Sequence, residues 1–298
     1  MGEEVSQLTY DREMKKTGIF YHPSYSQRSF LTIGRRLADF PHIIKHILEK
    51  PNVILFEPDP VSEELLLKIH TPQMIREVKR HPLCTTAWHS AGGVVEAGEM
   101  IWQGVIYNAF VFIGAGGHHS GWDYFGGACC FNDVALCIYN LRDAFGVRRF
   151  AILDTDAHHG DGTREIFFND PDVLHVCFCG TDYVSSDGTK VDVDVYSLDP
   201  YGRDIDDKYV GLVNSEFIPR ARDFKPDFLF WYFGYDTHRG EYGDIGLTVK
   251  AYEAIADLMI GISEELCSGR LEVVLAGGAS TEIANQVIPP VIERIVRT

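Results

Sequence analysis

The stretch A-I-L-D-T-D-A-H-H-G-D-G, Ala151 to Gly162, constrains the fold more than any other. An apolar run that reads as a strand ends there in five ionisable side chains within eight residues. Side chains alternate along an extended strand, so Asp154, Asp156 and His158 are expected on one side, with Thr155 and Ala157 on the other. Carboxylates and an imidazole then converge just past the strand's end. A borderline-soft divalent ion such as zinc takes Asp and His ligands together, and a catalytic zinc keeps a position open to water. Asp161, Gly162 and Thr163 are also expected to cap a helix beginning near Arg164. A cap accounts for Asp161 but for neither histidine nor the upstream aspartates.

Two further segments complete the pattern. V-F-I-G-A-G-G-H-H-S-G-W-D runs from a strand through glycines to His118 and His119, and its Gly114–Gly117 run continues into neither G-x-G-x-x-G nor G-K-S/T, so a phosphate loop is not expected. D-F-L-F-W-Y-F-G-Y-D-T-H-R-G is a long apolar run ending in Asp236 and His238, which makes Asp236 the third candidate ligand.

Short, continuously apolar runs recur along the chain as N-V-I-L-F, N-A-F-V-F-I-G, R-F-A-I-L-D, D-V-L-H-V-C-F, D-F-L-F-W-Y-F and L-E-V-V-L-A-G. Between them, S-E-E-L-L-L-K-I-H, M-I-R-E-V-K-R, F-N-D-V-A-L-C-I-Y-N-L-R-D-A-F and V-K-A-Y-E-A-I-A-D-L-M-I-G-I-S-E-E-L have helical periodicity. The pattern predicts a single α/β domain over 1–298, with a mostly parallel sheet, helices on both faces and a site at the strands' C-terminal ends. Residues 1–17 read as an N-terminal extension. The Asp- and Gly-rich segment from Cys179 to Tyr209 is expected to be an irregular loop shaping access to the site.

In their order and spacing, G-H-H, D-x-D-x-H-H-G-D-G and G-Y-D-T-H-R-G resemble the zinc-dependent histone deacetylase family, which includes acetylpolyamine amidohydrolases and acetoin-utilisation proteins, with an arginase-like fold. The resemblance extends from T-G-I-F-Y-H-P to L-A-G-G-A-S. It implies Asp156, His158 and Asp236 as zinc ligands, and His118 and His119 as an acid–base pair backed by Asp154 and Asp161. It implies a monovalent cation, with potassium the candidate, near Asp154, although the matching hydroxyl position is Cys177. Gly127 would stand at the acyl channel, where Ala128 replaces the usual aromatic. The tyrosine expected after L-A-G-G is absent, its position falling on Ser280 or Ala279, and Tyr183, then Tyr124, are the candidates to replace it. The implied activity is removal of an acyl group from a lysine side chain, a polyamine or a small N-acyl amide. An altered, non-hydrolytic zinc-binding member is the alternative, ahead of a binuclear ureohydrolase.

The formal net charge of −16 argues against nonspecific nucleic-acid binding and suits a cationic amine substrate. No segment supplies the apolar length of a membrane span or the pattern of a signal peptide, so the expectation is a cytoplasmic chain without membrane partners, with a homo-oligomer left open. Seven cysteines without a C-x-x-C pair suggest buried free thiols, Cys129, Cys130 and Cys137 among them.

Overall fold

The computed structural model describes residues 15–26, 35–114 and 117–296, so most of the expected N-terminal extension lies outside the described residues. Among the described residues nine strands form one sheet: β1 Thr17–Phe20, β2 Val53–Phe56, β3 Asn108–Val111, β4 Phe150–Asp154, β5 Val173–Cys179, β6 Tyr183–Val184, β7 Lys190–Asp194, β8 Phe228–Phe233 and β9 Leu271–Leu275. Their order across the sheet is β2-β1-β3-β9-β8-β4-β5-β7-β6. Every pairing is parallel except that of β6 with β7.

Parallel strands covered on both faces read as nearly continuous apolar runs rather than alternating ones. The six residues of β8, F-L-F-W-Y-F, are accordingly all buried, as are the five of β4. The helices Ala87–Trp102 and Asp133–Phe145 pack on each other, as do Val249–Cys267 and Thr281–Val296. Asn132 starts the second of these by accepting from the Ala135 amide, and Gly146 ends it in the left-handed conformation, so local chemistry sets both limits.

Several expectations need correction. The segment from Cys179 to Tyr209 is not one irregular loop: it contains the β6–β7 hairpin and the start of the helix Ile205–Glu216. Its K-V-D-V-D run forms β7, which is paired on both sides, with β5 and with the edge strand β6. Only Glu63–Leu66 of the S-E-E-L-L-L-K-I-H stretch is α-helical. The helix expected near Arg164 begins at Asp161, with Gly160 as its N-cap residue. Cys130 is not a free thiol but is bonded to Cys84, 46 residues away, whereas Cys129 and Cys137 are free and buried.

Candidate active site

Four neighbouring strands at the centre of the sheet, β3, β9, β8 and β4, deliver all three motifs to one place. His118 and His119 follow β3, Asp156 and His158 follow β4, Asp236 follows β8, and Gly277 follows β9. β4 ends with Asp154 and the chain bends from Asp156 to His158, so strand alternation does not carry the cluster. Instead Asp154 Oδ1 accepts from the Asp156 amide at 3.2 Å, and Asp156 Oδ1 accepts from the His158 amide at 3.0 Å. Two successive Asx turns thus present the side chains.

His158 Nδ1 lies 3.0 Å from Asp156 Oδ1 and 3.1 Å from Asp236 Oδ2. Both carboxylates are buried, and their remaining oxygens are held: Asp156 Oδ2 accepts from the Gly277 amide at 2.7 Å and Asp236 Oδ1 from the Ala157 amide at 3.2 Å. Burial, and then the charge of Asp156, pushes the Asp236 carboxyl upward, as expected for two like charges confined together. A cation between them relieves that repulsion. The donor atoms of Asp156, His158 and Asp236 all lie within 4.8 Å of one another, and a Cβ at Gly277 would sit 2.4 Å from Asp156 Oδ2 and 2.6 Å from Asp236 Oδ2. The set of two carboxylates and one imidazole, approached closely by a glycine backbone, fits a zinc ion.

The histidine pair stands beside this triad, the two rings 4.2 Å apart. His118 Nδ1 is 2.8 Å from Asp154 Oδ2, and its Nε2 is 3.6 Å from Asp156 Oδ1. Burial lowers the affinity of His118 for a proton, but the Asp154 and Asp156 carboxylates outweigh it and push the pKa up to about 9. His119 Nδ1 is 2.7 Å from Asp161 Oδ1, and this pair is more open, with Asp161 53% exposed. In each ring the carboxylate occupies Nδ1 rather than Nε2. His175 lies behind Asp154, Nε2 to Oδ2 3.4 Å, and its burial lowers its pKa to about 4.

The cavity around these groups is bounded by Gly127, Ala128 and Cys129 on one side and by Tyr242, Ala276 and Gly277 on another. Gly127 has a φ of 54°, and a Cβ there would meet His119 Cδ2 at 2.4 Å. Ala128 follows in the same left-handed region at 66°. Buried Arg36 closes the cavity and donates to the carbonyls of Ile113, Ala276 and Gly278.

Three substrate-side expectations come out differently. Tyr183 lies on β6, the last strand at the edge of the sheet, 40% exposed beneath the Arg164 guanidinium. Tyr124 is also partly exposed, its backbone carbonyl accepting from Gly121. Neither bounds the cavity. Ser280 caps the last helix, Oγ accepting from the Ile283 amide at 3.2 Å. The tyrosine that does reach the site is Tyr242, whose ring is 5.5 Å from that of His158 and whose hydroxyl oxygen accepts from the Gly278 amide at 3.0 Å. Its neighbour Glu241 fixes the same loop by accepting from the Ala279 and Ser280 amides.

Residues 81–295 match the family model described as the histone deacetylase domain. The chain belongs to the histone deacetylase family. It is 32% identical to a probable deacetylase of Archaeoglobus fulgidus, with 89% of this chain and 82% of that protein aligned. Against histone deacetylase HDA1 of Saccharomyces cerevisiae it is 30% identical, with 63% of this chain and only 28% of the yeast protein covered. The crystal structure of the HDA15 HD domain shares the fold, with a TM-score of 0.80 at 22% identity over 95% of this chain and 90% of that one. Membership in the family makes deacetylase or related amidohydrolase chemistry the activity class of this chain, and its parallel sheet with helices is the family's fold.

Proposed function

We propose that this chain hydrolyses the amide of an acylated amine, with zinc held by Asp156, His158 and Asp236. The observation that carries this reading is the joining of that triad to two carboxylate-backed histidines on one cavity. A bound zinc polarises a carbonyl and makes water acidic enough to lose a proton near neutral pH. His118 and His119 supply the two proton movements, accepting one from the attacking water at a free Nε2 and returning one to the departing amine nitrogen. Asp154 and Asp161 hold the tautomers that keep those nitrogens available.

Tyr242 takes the place of the missing tyrosine. The Gly278 amide occupies one lone pair of its hydroxyl, leaving the O–H hydrogen to donate to the substrate carbonyl as negative charge develops there. Although the residue as a whole is half exposed, desolvation around its hydroxyl, with the charges of Asp236 and Asp156, pushes the phenol above its ordinary pKa, so it remains a donor. Ala128, small and set back on a left-handed turn, leaves the acyl side wider than an aromatic would. Acyl groups larger than acetyl are therefore favoured, and the acidic chain suits a cationic amine.

The test is hydrolysis by the zinc-loaded protein of a panel of acyl-lysines, acylated polyamines and small N-acyl amides. Turnover that chelation abolishes and zinc restores is expected. A zinc-replete protein inert toward the whole panel would sink the reading.

A further inference from the structure

Beyond the active site, on the other side of the His158–His159 turn, a second set of donors converges. His159, Cys177, Cys179 and Asp192 each offer one ligand atom, and all four atoms lie within 4.8 Å of one another. Strand geometry explains the convergence. Cys177 and Cys179 are two residues apart on β5 and share a face, and Asp192 on β7 is the register partner of Cys177. His159 completes the group from the turn after β4.

We propose that these four residues form a second, structural zinc site. Metal–sulfur bonds of about 2.3 Å and metal–nitrogen or metal–oxygen bonds of about 2.0–2.1 Å set the donor atoms of a tetrahedral ion roughly 3.3–3.8 Å apart. The Cys179 Sγ to His159 Nδ1 distance is 3.5 Å, and the His159 Nδ1 to Asp192 Oδ1 distance is 3.4 Å. Two sulfurs, one imidazole and one carboxylate form a soft, closed donor set, unlike the oxygen-rich triad next door, and select zinc over calcium or magnesium. Two thiolates and a carboxylate exceed a divalent charge by one. Arg164 supplies the balance, donating to Asp192 Oδ1 at 2.7 Å and Oδ2 at 3.3 Å, as an outer partner that orients a ligating carboxylate should. Both cysteines and Asp192 are buried, whereas the His159 side chain is 37% exposed and gives the ion its way in.

The site has a mechanical consequence. Cys177 Sγ also reaches the His158 carbonyl at 3.8 Å, so an ion on Cys177 and His159 would grip from behind the turn that carries His158. It would act as a positioning device for the catalytic residues.

Cobalt provides the test, because Asp156, His158 and Asp236 contain no sulfur and thiolate-to-cobalt charge transfer must come from an ion held outside that triad. The intact protein loaded with cobalt should show that near-ultraviolet absorption, and the zinc form should carry two ions per chain by elemental analysis. Cys177→Ser with Cys179→Ser should abolish the absorption and leave one ion, and Cys179→Ser alone should lower its intensity, which it would not do for an ion held by Asp154, His175 and Cys177. Asp236→Ala should leave one ion and keep the absorption, so failure of the active-site assignment is distinguishable from failure of this one. Wild-type protein without the absorption overturns the proposal, as does absorption that survives loss of both cysteines. A Cys177–Cys179 disulfide, seen as two missing thiols in unreduced, denatured protein, overturns it equally.

Discussion

The hydroxyl oxygen of Tyr242 accepts a hydrogen bond from the Gly278 amide, joining the loop after β8 to the loop after β9. The last glycine of L-A-G-G thus meets, from a neighbouring loop, a phenol that its own loop does not carry. Removing a donor aimed at a developing oxyanion typically costs about a hundred- to a thousandfold in rate. Tyr242→Phe should lose that much in kcat, with metal content unchanged, while Tyr183→Phe and Tyr124→Phe stay within about threefold of wild type. Equal losses in all three, measured on the best substrate of the panel, would remove Tyr242 from the mechanism.

The triad makes a separate prediction. Asp156→Ala and Asp236→Ala each delete one of three ligands and free the others to repel or rearrange, so both should lose zinc from the active site by elemental analysis and fall to background turnover. Retention of active-site zinc in both variants would show that the ion is held elsewhere.

His119 borders the cavity without joining the triad. His119→Ala should therefore keep its zinc and lose at least about a hundredfold in kcat. Asp161→Asn, which leaves the ring in place but changes the partner at Nδ1, should give a smaller loss. A loss under about threefold for His119→Ala would mean that proton transfer does not pass through it.

Glu272 gives a stability prediction remote from catalysis. It lies on β9 fully buried, with Oε2 near the Cys137 thiol and Oε1 without a hydrogen-bond partner among the described residues. Burial, with the charge of Asp133, pushes its carboxyl well above the ordinary 4.5, so the folded protein holds a proton that the unfolded chain releases. Below that ordinary value both states are protonated and no penalty arises. As the pH rises from there toward the folded pKa, stability falls by about 1.4 kcal/mol per pH unit from this group. Glu272→Gln should flatten that slope in denaturant titrations at pH 5 to 8. An unchanged slope would mean that Glu272 ionises in the fold.

What the sequence made legible follows the physics of each element. Runs such as F-L-F-W-Y-F can be read because a strand buried on both faces has few polar positions, and the charges at the ends of β4 and β8 stand out because nothing apolar explains them. Tyr242 was not legible. Its relation to L-A-G-G depends on β8 and β9 being neighbours in the sheet, and neither spacing nor composition reveals which strands pair. The bond between Cys84 and Cys130 is hidden for the same reason, as is the meeting of His159 with Asp192 across three elements. The hairpin at Tyr183–Asp194 was obscured by its polar composition, which an edge strand needs and a loop equally permits.

The order of strands also bears on how such a protein would wear out. Fraying from one edge must release β2 and β1, and from the other β6, β7 and β5, before it reaches a strand that carries a member of the triad or the histidine pair. Reacting groups placed that far inboard are lost late. Activity at elevated temperature should therefore survive protease nicking at the β2 margin and end with the cooperative melting of the central strands.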